Sequence, residues 1–292
     1  MSIVAAIVTR NLRLFFRDRL NVLFSLLSGL ILFLLYALFL GRLQIDGLAT
    51  TLPRATDAQI AAFVDSWMLS GIVMLTTVTS GIGALSTLVE DRASGRFGDF
   101  LVAPIRRGHL VLGYLLSSVA VSVVMSAVIL AVTVVYLGLV RGAWLSVPSI
   151  AAAAGAMILC CLAFTALAAF GASFLRTAGA YSAFATVLGT ILGFVAGAYI
   201  PVGSLPTAVA TTINVLPFAQ GAMLLRGPFT VDTLDTVAAG DADAAQGLRE
   251  FYGIDLFVGS AQIAPWIAVV VLLAVAVGFT ALSAGRIRAV LR

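Results

Sequence analysis

Lysine is missing altogether from this 292-residue chain, and every one of its 17 basic residues is an arginine. That absence excludes the phosphate-cradling loop of nucleotide hydrolases, GxxxxGK[ST], whose lysine reaches the terminal phosphates. Charge of either sign is scarce: 10% of residues are charged and 61% hydrophobic, where soluble domains carry about 25% charge. Seventeen cations and 13 acids cannot give a core of this length a polar skin, whereas a lipid-facing surface needs none. The two cysteines, Cys160 and Cys161, are neighbours in an apolar run. Neighbours on a helix point about 100° apart, so a disulfide framework is excluded and they read as small packing residues. The single histidine, His109, stands at a boundary and reads as structural. No serine, histidine and acid converge on a hydrolase site, and no residue set suggests a catalytic or metal centre.

What is there is apolar and long. A span needs about 20 apolar residues to cross a hydrocarbon core of about 30 Å, and six stretches qualify: 21–40, 67–89, 110–137, 147–175, 178–200 and 263–282. No ionisable residue stands in mid-span, since Asp65, Glu90 and Asp91 fall at the ends of the second. Ion-coupled carriers usually keep such groups at membrane depth. With an even number of spans both termini share a side, and retained positive loops put them in the cytoplasm. Twelve arginines then fall inside, including Arg10, Arg13, Arg17, Arg92, Arg96, Arg106 and Arg107, giving that face a net charge of +8 against −4 outside. This charge is spread along one membrane face with no nucleic-acid motif, so anionic lipid headgroups are the better partner.

Residues 1–19 place Arg10, Arg13 and Arg17 on one helical face and Val8, Leu12, Phe15 and Phe16 on another. This is an interfacial amphipathic elbow, either a topology anchor or an element that also touches a cytoplasmic partner. The loop at 90–108 is the most charged inside segment. Phe97, Phe100 and Leu101 stand at helical spacing among Asp91, Arg92, Arg96 and Arg107, Pro104 stops the helix, and Gly95 permits a turn. A short amphipathic helix of this kind suits docking into a partner's groove; the alternative is a solvated loop with lipid-anchored aromatics. After the fifth span, Pro201, Pro206 and Pro217 interrupt apolar stretches too short to span, which reads as re-entrant half-helices on the outside or a simple cap. The acidic stretch 227–259 reads as a solvated loop or a small lid. In the second span, hydroxyls such as Ser70, Thr77 and Ser80 suggest a weakly polar path for amphiphiles, although such groups also bond their own backbone. Gly189, Gly193 and Gly197 make a stripe along which a helix approaches closely, within the subunit or across an interface.

An acid followed by Arg92, Gly95, Phe100, Pro104, Arg107 and Gly113 resembles the loop between the second and third spans of ABC type-2 exporter permeases, close to the drug-resistance branch. Pro201, Leu205, Pro206, Asn214, Pro217 and Arg226 resemble that family's signature after the fifth span. Gly98 and Tyr114 depart from the pattern, standing where an acid and a basic residue are usual. The resemblance implies one all-α membrane domain over 1–292 with six spans, and a coupling helix at 90–108. By the same resemblance the second and fifth spans line a central path, and the re-entrant half-helices, with Pro201, Leu205, Pro206, Asn214 and Pro217, form an outer gate within an extracellular region at 201–262. It also implies two membrane subunits, identical or paralogous, clamped over separate ATPase subunits that hold ATP and Mg and close beneath the coupling helix. The expected function is outward movement of an amphiphilic or hydrophobic substrate through the cell membrane, with no catalysis in this chain. A gradient-driven carrier or channel is the alternative.

Overall fold

A computed structural model describes residues 2–96 and 107–290. Ser2 caps α1 (Ile3–Arg17) by accepting from the Ala5 N–H, and Ile7, Asn11 and Phe15, one turn apart, form its buried edge. Asp18 adopts an extended conformation and accepts from the N–H groups of Leu20 and Asn21. It thereby ends the elbow and starts α2 (Arg19–Leu35), satisfying donors that a helix start leaves orphaned. A wider π turn at Tyr36–Leu40 leads without interruption into α3 (Gly41–Thr51). The first span therefore runs past the expected boundary at 40.

The second span is longer still. Thr56 and Gln59 form a reciprocal capping box that starts α4 (Asp57–Ala93) ten residues before the apolar run at 67. Its 37 residues extend about 55 Å at a rise of about 1.5 Å each, well beyond the membrane core. This helix is the centre of the molecule: α2, α5 (Arg107–Arg141), α6 (Val147–Ala172), α7 (Ala178–Val195) and α9 (Pro217–Ala238) all pack against it. Asp65, expected at the span's end, lies two turns inside the helix and is paired there by Arg141 Nε at 2.6 Å. By contrast α7 and the last helix, α11 (Pro265–Val290), present mostly exposed apolar surface, as lipid-facing or partner-facing helices do.

Between α7 and α11, α8 (Thr207–Val215) meets α9 at a bend of 86°. Pro217 stands at the first position of α9, where its missing N–H costs nothing. The expected pair of proline-separated half-helices is present as geometry. The acidic stretch is not a loop, however. Pro228 does not stop α9, which continues to Ala238 because Phe229, Thr230, Thr233, Leu234 and Val237 keep one face buried. Ala239 (φ 50°) and Gly240 (φ 81°) end it, and Asp241 then caps α10 (Ala242–Phe251). A hairpin follows, β1 (Leu256–Val258) against β2 (Ala261–Ile263), antiparallel with Phe257 opposite Gln262. Among the described residues six helices are long and apolar enough to cross a membrane, in an all-α membrane architecture with this one hairpin.

Candidate functional site

At the elbow end, three helices converge on one carboxylate. Asp91, in the last turn of α4, is buried and receives both arms of the Arg10 guanidinium, Nη1 at 2.7 Å and Nη2 at 3.0 Å. The Tyr114 hydroxyl on α5 donates to the same carboxylate at 2.6 Å, and Arg96 reaches it at 3.6 Å. Bonding to Asp91 raises the Arg10 guanidinium's affinity for its proton. One residue along, Asn11 donates to Ser117 Oγ at 3.0 Å, so α1 is pinned to both flanks of the 97–106 segment. Close approach is permitted by Gly113, where a Cβ atom would stand 2.6 Å from Ile7. Arg92 turns the other way and donates to the carbonyls of Ser173 and Leu175 beyond the end of α6.

Of the residues expected to couple, Phe97, Phe100 and Pro104 lie outside the described residues, and Arg107 opens α5. Gly95 turns with φ 76° and open space around its Cα, so this glycine serves conformation rather than packing. Sequence reasoning did not anticipate Tyr114 or Arg10 as partners of Asp91; nothing in a linear pattern pairs residues from three helices.

Above this joint, α2, α4 and α7 enclose a cavity of about 670 Å³ lined by Phe24, Ile31, Thr79, Tyr181, Thr186 and Gly189 among others, with no charged group in its wall. Three of its hydroxyls bond within the chain: Thr79 donates to the Ser25 carbonyl at 3.1 Å, Thr186 to that of Ser182, and Tyr181 to that of Ile82. The cavity is therefore only weakly polar. Ser70, Thr77 and Ser80 are not in its wall. They are fully buried against neighbouring helices of the same chain and donate to the carbonyls of Trp67, Met74 and Thr76. They serve α4's own backbone and core.

The glycine stripe also divides. Gly189 faces open space in the cavity wall, whereas a Cβ on Gly193 would stand 2.0 Å from the Tyr199 ring, which folds back over it. Gly197 lies beyond the helix with φ 63°, where its N–H and that of Ala198 close onto the carbonyls of Phe194 and Gly193. That double closure is a Schellman cap, which needs a left-handed residue.

Arg226 completes the opposite end. It is fully buried on α9, and its Nη2 donates to the carbonyls of Ala196 at 2.7 Å and Gly197 at 2.8 Å, while Nη1 donates to that of Gly253 at 3.1 Å. The guanidinium lies 5.6 Å from the Trp67 ring centroid, and Trp67 itself donates to the Tyr252 carbonyl at 2.9 Å. One side chain thus ties the end of α7 to the turn after α10. Pro201 and the buried Val202 begin the segment beneath. Leu205 packs with Ile213, Leu256 and Ile263, and Asn214 donates to the Phe257 carbonyl at 2.9 Å. Leu205, Pro206, Asn214 and Pro217 therefore belong to one small unit seated on the hairpin.

The profile of the ABC-2 type transporter family matches residues 3–229, which includes the elbow, the joint, the cavity and Arg226, and stops short of Gly253 at the far end of the Arg226 bridge. No curated protein matches the chain. With six helices able to cross a bilayer, the chain is a multi-pass membrane protein and the transporting, non-catalytic part of its system.

Proposed function

The chain belongs to the ABC-2 type transporter family, and from that premise we propose that it is the permease of an exporter driven by separate ATPase subunits. The energy must come from elsewhere, because a lysine-free chain has no phosphate loop of its own. ATP and Mg belong to the partner, and a second membrane subunit, a copy or a paralogue, completes the conduit. The chain sits in the cell membrane with both termini in the cytoplasm, where its arginine-rich face meets anionic lipid.

The observation that carries this reading is the joint at Asp91. A push on the 97–106 segment from below enters a carboxylate that holds the elbow, α4 and α5 together, and α4 also walls the cavity. On this reading, movement of the loop is passed through that joint to the wall of the cavity. The uncharged cavity suits an amphiphilic or hydrophobic cargo, a drug, lipid, glycolipid or peptide, better than an inorganic ion. The unit from Pro201 to Pro217 is its outer gate. Co-purification tests the coupling role: the intact chain retains the ATPase subunits, and Phe100→Ala or Arg96→Ala weakens that retention or uncouples hydrolysis from transport. Full assembly and full transport in both variants would contradict it.

A further inference from the structure

Arg92, which turns away from the Asp91 joint, meets two more arginines. Its Nη1 donates to the carbonyls of Ser173 at 3.2 Å and Leu175 at 3.3 Å, in the turn that joins α6 to α7. From α11, the Arg286 guanidinium lies over the ring of Phe174 in that same turn, 3.8 Å from its centroid. Arg176 is the turn's own cation, and it is exposed. The ends of α4, α6 and α11 thus bring three positive charges to residues 173–176.

No acid answers them. The charges that act on Arg92 are those of Arg176 and Arg286, both of its own sign. None of the three arginines joins an ion pair among the described residues. Arg92 also keeps Nε and Nη2 without a protein acceptor there. Beside low-dielectric helices such like charges are poorly screened, so an anion among them relieves repulsion and gains charge-assisted hydrogen bonds together.

The surroundings select the kind of anion. Arg286 is the first charge after the apolar run of α11, and the turn joins two membrane-crossing helices, so the cations lie at the level of lipid headgroups. From Phe174 the aromatic contacts continue toward the membrane interior. Phe174 meets Phe170 at 5.1 Å between ring centroids, and Phe170 meets Phe279 of α11 at 5.3 Å. An acidic protein surface matches the arginines but not this aromatic run, whereas a phospholipid carries both a phosphate and acyl chains. Basic sites between membrane helices hold anionic headgroups in this way.

We propose that the α6–α7 turn binds an anionic phospholipid, its phosphate among Arg92, Arg176 and Arg286 and an acyl chain along Phe174, Phe170 and Phe279. The bound lipid ties the ends of α4, α6 and α11 to one another. The site does not depend on the export reading.

Native mass spectrometry of the full chain in detergent tests this, with titration of phosphatidylglycerol, phosphatidylcholine and a trimethylammonium lipid of the same acyl chains. Phosphatidylglycerol is expected to bind as a discrete adduct at concentrations where the other two do not, and millimolar inorganic phosphate is expected not to displace it. Arg176→Gln and Arg286→Gln each weaken that binding about fivefold, as the loss of one cation at a lipid surface does. Arg176→Lys, which keeps the charge, retains it. Arg13→Gln removes the same charge from the exposed face of the elbow and leaves binding unchanged. Equal binding of the three lipids, or an equal loss in Arg13→Gln, overturns the inference, because the attraction is then general to the basic face. Displacement by inorganic phosphate overturns the lipid as occupant. Loss of the ATPase subunits from the two glutamine variants on co-purification, with lipid binding unchanged, assigns the patch to a protein partner and overturns it as well.

Discussion

Arg10 and Asp91, 81 residues apart in sequence, face each other through two hydrogen bonds of 2.7 and 3.0 Å. The two-pronged fit fixes the angle of the elbow against α4 as well as its distance. Because the Asp91 side chain is almost fully buried, its charge depends on these partners.

Tyr114→Phe keeps the packing and deletes one donor, so the fold should persist while the joint loosens. Loss of one bond to a buried charged group costs about 1.5–3 kcal/mol. ATP hydrolysis by the assembled complex is expected to continue with fewer substrate molecules moved per ATP. The ratio of transported cargo to released phosphate checks this, and an unchanged ratio contradicts it.

Charge reversal at the same place gives a second prediction. Arg10→Asp or Asp91→Arg alone should destabilise strongly, since each leaves like charges in contact, and the two together should recover part of the loss. A thermal unfolding series over the three variants measures the interaction free energy directly.

Gly113→Val forces a side chain into the space that Ile7 occupies, where even a Cβ atom would be 2.6 Å away. Overpacking of this kind costs about 1–3 kcal/mol. The elbow should lift from α5, and protease cleavage within 1–19 should accelerate relative to the rest of the chain.

Arg226→Met retains length and apolar bulk but removes the donors that satisfy the carbonyls of Ala196, Gly197 and Gly253. Each orphaned buried acceptor costs about 1–3 kcal/mol. The end of α7 should separate from the turn after α10, lowering the melting temperature. Arg226→Lys should recover only part of it, because an ammonium lacks the planar fork that spans three carbonyls.

The spans, the helix before the first of them and the proline-marked bend were legible because each rests on a local pattern: apolar length, helical charge spacing or a missing N–H. The start of α4 at Asp57 was not read, because its Thr56–Gln59 capping pair stands well before the apolar run that marks the span. The acidic stretch looked like a loop because its aspartates and glycines dominate composition, yet Phe229, Leu234 and Val237 gave α9 a face to bury. Hydroxyls at Ser70, Thr77 and Ser80 could not be assigned to a path or a core from spacing alone, since the choice depends on which helices surround α4. The Asp91 joint was beyond reach for the same reason: its members come from α1, α4 and α5, and only the fold brings them together.

The central claim is that this chain moves cargo only when a separate ATPase pushes on it from the cytoplasmic side. Uptake of a fluorescent amphiphile into inside-out vesicles, measured for the permease alone and for the permease with its ATPase subunits, tests it most directly. Uphill accumulation is predicted only with both proteins and ATP present. Accumulation by the permease alone under a proton or sodium gradient would contradict the account.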